Sequence, residues 1–235
     1  MSIKRIRIGA LVGMGPNSTG PFYDSIMNYA RSLYGARFDI DFPEIVLVSL
    51  PTPFYPDRAI DDAAMMARLA EGIAILNQAE VDFIVIPCNV VHQYYAQMQS
   101  LTSVPILNMI DLAVTALDAP AAAKVGLIAT TPTIQSKLYQ DKLAAKGFQV
   151  FHTDDLQVKV IALLTELKQS QQSARALALW SELVHDLERS GCTHAVIACT
   201  DITPCIEWVQ SRICFVDSGD VLAKVTIELY MQRNA

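Results

Sequence analysis

Hydrophobic positions along the chain fall into two kinds of run. Short and almost uninterrupted apolar stretches occur at 6–12, 44–50, 82–86, 106–108, 125–128, 149–152, 194–198 and 214–217. Continuous rather than alternating apolarity is what a parallel strand buried on both faces requires. Between them, at 21–34, 61–78, 91–99, 132–146, 157–167 and 173–190, apolar residues recur every three or four positions, the period of a helix with one buried face. In the second of these segments Ala63, Met66, Ala70, Ile73, Ala74 and Leu76 trace the expected core stripe. Strands alternating with helices in this order predict an α/β fold of mostly parallel sheets flanked by helices.

The pattern also repeats. The stretch Ile8-Gly9-Ala10-Leu11-Val12 with its Gly13-Met14-Gly15-Pro16 loop is echoed by Val125-Gly126-Leu127-Ile128 with Ala129-Thr130-Thr131-Pro132. Likewise Asp82-Phe83-Ile84-Val85-Ile86-Pro87-Cys88-Asn89 is echoed by His194-Ala195-Val196-Ile197-Ala198-Cys199-Thr200-Asp201. Gly9 and Cys88 are 79 positions apart, Gly126 and Cys199 are 73. Two similar α/β halves are therefore expected. The segment 111–123 is where one gives way to the other.

Composition narrows the function classes. Of 235 residues 52% are hydrophobic and 18% charged, with a net charge of −6 and no basic run longer than Lys4-Arg5-Ile6-Arg7. An acidic chain without basic stripes is a poor ligand for a phosphate backbone, so no nucleic-acid partner is expected. No apolar run approaches the roughly 20 residues of a membrane span, and the apolar run after Arg7 is too short for a secretory signal. Five scattered cysteines, an odd number in a chain of this size, fit a reduced, cytoplasmic protein better than a disulfide framework.

Two of those cysteines carry the candidate chemistry. Cys88 and Cys199 each end a buried strand, at the sheet edge where α/β folds bind ligands. A helix starting just after each would favour a thiolate. Moving a proton off one face of a carbon and returning it on the other needs a base and an acid across a plane, and a thiolate–thiol pair can exchange those roles each turnover. No metal is expected: His92, four residues after Cys88, lacks the clustered partners a zinc site needs and reads as structural. Cys192, Cys205 and Cys214 read as packing residues, and Trp180 and Trp208 as core or interface. The Gly13-Met14-Gly15 loop fails as a dinucleotide fingerprint, since Pro16 intervenes and the third glycine is misplaced. Its amides with the Ser18 and Thr19 hydroxyls suit an anion, or else Ser18 or Thr19 caps a helix starting at Pro21. Arg58 in the Pro-rich loop 50–58 is a candidate carboxylate grip.

In chain order the motifs Gly13-Met14-Gly15-Pro16-x-x-Thr19-x-x-Phe22-Tyr23, Pro56-Asp57-Arg58, Pro87-Cys88-Asn89-x-x-His92, Ala129-Thr130-Thr131 and Ala198-Cys199-Thr200-Asp201 resemble those of the aspartate/glutamate racemase family, nearest its aspartate racemases. The resemblance implies two similar α/β domains, 1–112 plus 215–235 and 113–214, with the active site between them. It implies racemisation of an amino acid, aspartate or glutamate first, without pyridoxal phosphate or other cofactor, in a homodimer. Cys88 and Cys199 match the family's acid/base pair. Arg58, Asn89 and Thr200 match substrate-contacting positions, and Met14, Val90, Thr131, Gln157 and Lys159 are further candidates for substrate contact. Val90 stands where the family has threonine, Asp201 where it has glutamate, and Gln157 where its aspartate racemases have lysine, with Lys159 two positions on. Alternatives are a related hydantoin racemase or maleate isomerase, a non-catalytic small-acid binder, and a Cys88–Cys199 redox switch.

Overall fold

Nine α-helices and seven strands alternate along the computed structural model, which describes residues 6–55, 59–169 and 173–234. The chain divides into two compact units, one running up to Met109 and resuming at Leu222, the other spanning Ile110 to Val221.

In the first unit, β1 (Arg7–Val12) lies between β2 (Glu44–Ser49) and β3 (Phe83–Val85), all parallel. Gly9 of β1 faces Val46 on one side and Ile84 on the other. The expected strand at 106–108 is a single parallel bridge from Ile106 to Ile84, where the ladder is limited to the bonds that Pro105 and Leu107 make with Ile84. Helices α1 (Pro16–Tyr34), α2 (Asp62–Gln78) and α3 (Tyr95–Ser100) belong to this unit. The buried stripe of α2 is Met65, Leu69, Gly72, Ile73 and Leu76, out of step with the alanine-weighted stripe expected over its first half. Methionine and leucine reach the sheet where alanine is too short, so the larger side chains set the phase. Helix α1 begins at Pro16 rather than Pro21, behind Gly15 at φ 58°. Proline needs no amide partner at a helix's first position.

In the second unit β4 (Lys124–Ala129) and β6 (His194–Ala198) form the centre of a parallel sheet ordered β5-β4-β6-β7, with β5 (Gln149–Phe151) and β7 (Cys214–Asp217) at its edges. Alternate residues of the central strands bury opposite faces. Ile128, Ala195 and Ile197 pack with α7 (Asp154–Gln169) and α8 (Ala174–Arg189) around the fully buried Trp180. Leu127, Ala129, Val196 and Ala198 pack with Ile110, Ala113 and Val114 of α4 (Met109–Thr115) and with Tyr139 and Leu143 of α6 (Leu138–Ala145). The single helix expected at 132–146 is two, α5 (Thr131–Gln135) and α6, broken where Lys137 takes φ 57°.

The family resemblance assigned 215–235 to the first domain. Strand β7 instead pairs with β6, setting Ile197 beside Asp217, and the chain re-enters the first unit only at Leu222, inside α9 (Ser218–Asn234). That return is anchored: Arg233 Nη1 donates to the Asp82 carbonyl at 2.8 Å, its guanidinium lies 5.3 Å from the Phe83 ring centre, and Tyr230 lies 6.0 Å from Tyr34.

Candidate active site

The carboxyl edge of each parallel sheet gathers the candidate residues, and each edge is built in the same way. On the first unit, β1 runs into Gly13-Met14-Gly15 and β3 runs through Ile86 and Pro87 into Cys88. These two turns line one small cleft with Ser18 and Thr19. Gly13 sits at φ 90°, and a Cβ there would stand 2.7 Å from the Leu50 amide nitrogen, so only glycine lets β1 turn this close to the end of β2. Of the loop amides that the sequence offered to an anion, that of Gly13 is already bonded within the loop. The Gly13 N–H donates to Thr19 Oγ1 at 3.1 Å, and Ser18 Oγ donates to the Gly15 carbonyl at 2.8 Å. The two hydroxyls brace the loop from inside the helix.

Cys88 is half-buried, its N–H bonded to the Ile86 carbonyl at 2.8 Å. The next element is not an α-helix but a 3₁₀ segment, Val90–Tyr94, with Asn89 buried at its start and Val90 half-buried. His92, also buried, bonds the Cys88 carbonyl through Nδ1 at 2.8 Å.

On the second unit the matching turns are Thr130-Thr131 after β4 and Cys199-Thr200 after β6. Cys199 is again half-buried and again followed by a 3₁₀ segment, Thr203–Trp208. A thiolate at either position therefore gains no full helix dipole, contrary to the expectation from sequence. Gln157, from the first turns of α7, donates through Nε2 to Thr131 Oγ1 at 3.1 Å and to the Ala129 carbonyl at 3.3 Å. A carbonyl can only accept, which fixes the amide's orientation and leaves Oε1 buried and without a hydrogen-bond partner among the described residues. Thr200 packs on the turn after β7, where a Cβ on Gly219 would meet its Cγ2 at 3.0 Å.

Charge at this edge is shaped by burial. Asp217 ends β7 and accepts the amides of Gly219 and Asp220 at 2.7 and 3.1 Å on Oδ1. Burial nevertheless raises its pKa above the usual carboxylate value, against the opposing pull of Thr203 and those amides. Burial also raises Asp201, with Lys168 opposing. Cys192 and Cys205 are buried thiols pushed up to about 11 and about 12, as packing residues should be. Cys214 is exposed rather than packed. None of the five cysteines forms a disulfide, and no metal-binding group of three or more His, Cys, Asp or Glu occurs among the described residues.

Comparison with known proteins decides the family. The family model described as Asp/Glu/Hydantoin racemase matches residues 11–226. The chain belongs to this racemase family. It is 40% identical over 227 residues to the broad specificity amino-acid racemase RacX of Bacillus subtilis, covering 95% of this chain and 98% of that one. Its fold is shared by the aspartate racemase of Picrophilus torridus, at a TM-score of 0.82 and 24% identity over 96% of this chain and 94% of that chain. It is shared also by the glutamate racemase of Francisella tularensis, at 0.69 and 16% over 97% and 81%. Family membership makes the chain an isomerase of the racemase type, and no helix among the described residues is long and apolar enough to cross a membrane.

Within that frame the sequence-derived residues separate. Cys88 and Met14 share one edge; Thr131 and Gln157 meet at the other, which also carries Cys199 and Thr200. Lys159 goes elsewhere: two positions from Gln157 is more than half a helical turn, and its ammonium pairs with Asp186 at 2.5 Å and Glu182 at 3.7 Å on α8. The Asp186 carboxylate holds the Lys159 pKa above its ordinary value, and Lys159 in turn lowers that of Asp186. Arg58, with Pro56 and Asp57, lies outside the described residues, as do Lys4 and Arg5. The buried Asp217 at this edge was not singled out from sequence, although an acidic residue closing an apolar strand was a visible signal.

Proposed function

We propose that the protein is a cofactor-independent amino-acid racemase in which Cys88 and Cys199 act as a two-base pair. One thiolate removes the α-proton and becomes a thiol. The other thiol delivers a proton to the opposite face of the resulting carbanion and becomes a thiolate, so the enzyme finishes one turnover poised for the reverse one. Asn89, Thr131 and Thr200, with neighbouring amides, hold the α-carboxylate and ammonium and steady the developing negative charge. Arg58 and Met14 complete the substrate contacts.

The observation that carries this reading is the repeated placement of a half-buried cysteine at the end of the same strand of two like-built sheets, in a chain of the racemase family. Aspartate and glutamate are the first substrates to try. Gln157 and Val90 give the reading breadth, because a neutral amide and an apolar side chain do not demand an acidic substrate. The broad specificity in the name of the Bacillus relative supports the same breadth. The reading extends to a homodimer in the cytoplasm, which size-exclusion chromatography and cell fractionation check.

The test is α-proton exchange followed by NMR in D₂O across a panel of L- and D-amino acids. Loss of the α-proton signal with appearance of the opposite enantiomer is expected. Cys88→Ser and Cys199→Ser should each lower racemisation by at least about a thousandfold, since a serine hydroxyl is a far poorer base at neutral pH. Full activity in either variant sinks the two-base scheme.

A further inference from the structure

We infer that His92 is a positioning residue for Cys88, held as the neutral Nδ1–H tautomer by two main-chain groups, and that it fixes the reacting thiol through its carbonyl. The inference rests on Cys88 being one of the two bases. His92 is 2% exposed and lies between two partners of opposite kind. Nδ1 stands 2.8 Å from the Cys88 carbonyl oxygen, and the Met109 N–H points at Nε2 from 3.1 Å. An amide N–H can only donate, so Nε2 must be the lone pair; a carbonyl can only accept, so Nδ1 must carry the proton. The imidazolium and the Nε2–H tautomer would each set two donors face to face in a buried space. The Tyr95 ring runs nearly parallel to the imidazole, with 10° between planes and 6.3 Å between ring centres.

The arrangement matters because of where its ends are attached. One end is the carbonyl of the proposed base itself, four residues back along the chain. The other is Met109, the last residue before the chain leaves the first unit. The Cys88 N–H is held by the Ile86 carbonyl at 2.8 Å and its carbonyl by the His92 ring at 2.8 Å, so this side chain braces one of the two main-chain groups that flank the thiol's Cα. Reacting groups must be held to about half an ångström, and an error of about 1 Å costs on the order of a hundredfold in rate.

Two variants separate the two ends. Asparagine places its amide where Nδ1 was and can still donate to the Cys88 carbonyl, but it does not reach Met109. Glutamine places its oxygen where Nε2 was and can still accept from Met109, but it releases Cys88. His92→Gln should lower kcat by about ten- to a hundredfold with KM within about twofold. His92→Asn should stay within about threefold of the parent although it, too, loses one buried bond and melts lower. Peptide-mapped alkylation with iodoacetamide should show the rate at Cys88 altered severalfold in His92→Gln and unaltered at Cys199. In the parent protein, imidazole ¹⁵N shifts should show a protonated Nδ1 and a bare Nε2. Equal losses of kcat in the two variants, tracking Tm, with Cys88 alkylation unmoved, would overturn the proposal, as would an Nε2–H or doubly protonated ring. Alkylation and the ¹⁵N shifts are read without turnover, so they judge His92 even if no amino acid is racemised.

Discussion

Gln157 uses both amide hydrogens on Ala129 and Thr131, so the hydrogen-bonding atom it has left is an acceptor, the buried Oε1, and not a donor. Replacing it with lysine should reverse that preference. Gln157→Lys is expected to raise kcat/KM for aspartate relative to a neutral amino acid by roughly ten- to a hundredfold, the scale of one charge-assisted hydrogen bond of about 1.5–3 kcal/mol. Competition kinetics on paired substrates checks it, and an unchanged ratio rules Gln157 out as the side-chain reader. Asp217 makes a different prediction. Its raised pKa means the folded protein holds a proton that the unfolded chain gives up near the ordinary value of 3.8. The associated stability is complete below that value and is lost as pH rises through the folded pKa. In Asp217→Asn, which stays neutral, that loss disappears. The difference in Tm between variant and parent should therefore move in the variant's favour as pH is raised from 3.8, and a constant difference would contradict the shift.

At the scale of elements the two halves share a device. Gly9 and Gly126 are the third residues of β1 and β4, and each faces the strand that ends in a cysteine, opposite Ile84 and Ala195. Each also admits a leucine from the helix before that strand. A Cβ on Gly9 would meet Leu76 Cδ2 at 3.3 Å and Val81 Cγ2 at 2.9 Å; one on Gly126 would meet Leu187 Cδ2 at 2.5 Å. Gly126→Ala should destabilise by about 1–3 kcal/mol and Gly9→Ala by less, as urea melts will show. This is why the repeat was readable: close helix-on-strand packing demanded glycine at the same point twice, and burial on both faces demanded unbroken apolar strands. What was not readable is where the backbone departs from those demands. Lys137 takes a left-handed conformation without being glycine or asparagine, and the segment after Cys88 tightens to 3₁₀ over Val90–Tyr94 where the apolar period looks α-helical. Residues of the candidate site were legible where their type is unusual at a strand end, as for both cysteines. That Gln157 meets Thr131 while Lys159 turns to Asp186 depends on the face of α7 on which each falls, which the sequence alone did not show.

The whole molecule is assembled out of chain order. The first unit is complete only when α9 returns, burying Leu222, Ala223 and Ile227 and setting Arg233 against Asp82 and Phe83. A chain ending at Val221 should lose amide protection in β1 and β3 on hydrogen exchange while β4 and β6 keep theirs. Equal protection in both sheets would show that α9 is dispensable to the first unit. The order has a consequence during synthesis. A ribosome delivers the strands of the first sheet early, then all of the second unit, and only at the end the helix that closes the first. The earliest-made strands therefore wait, with an apolar flank uncovered, for more than a hundred further residues to be translated, and this interval is when the nascent chain most needs a chaperone's shelter.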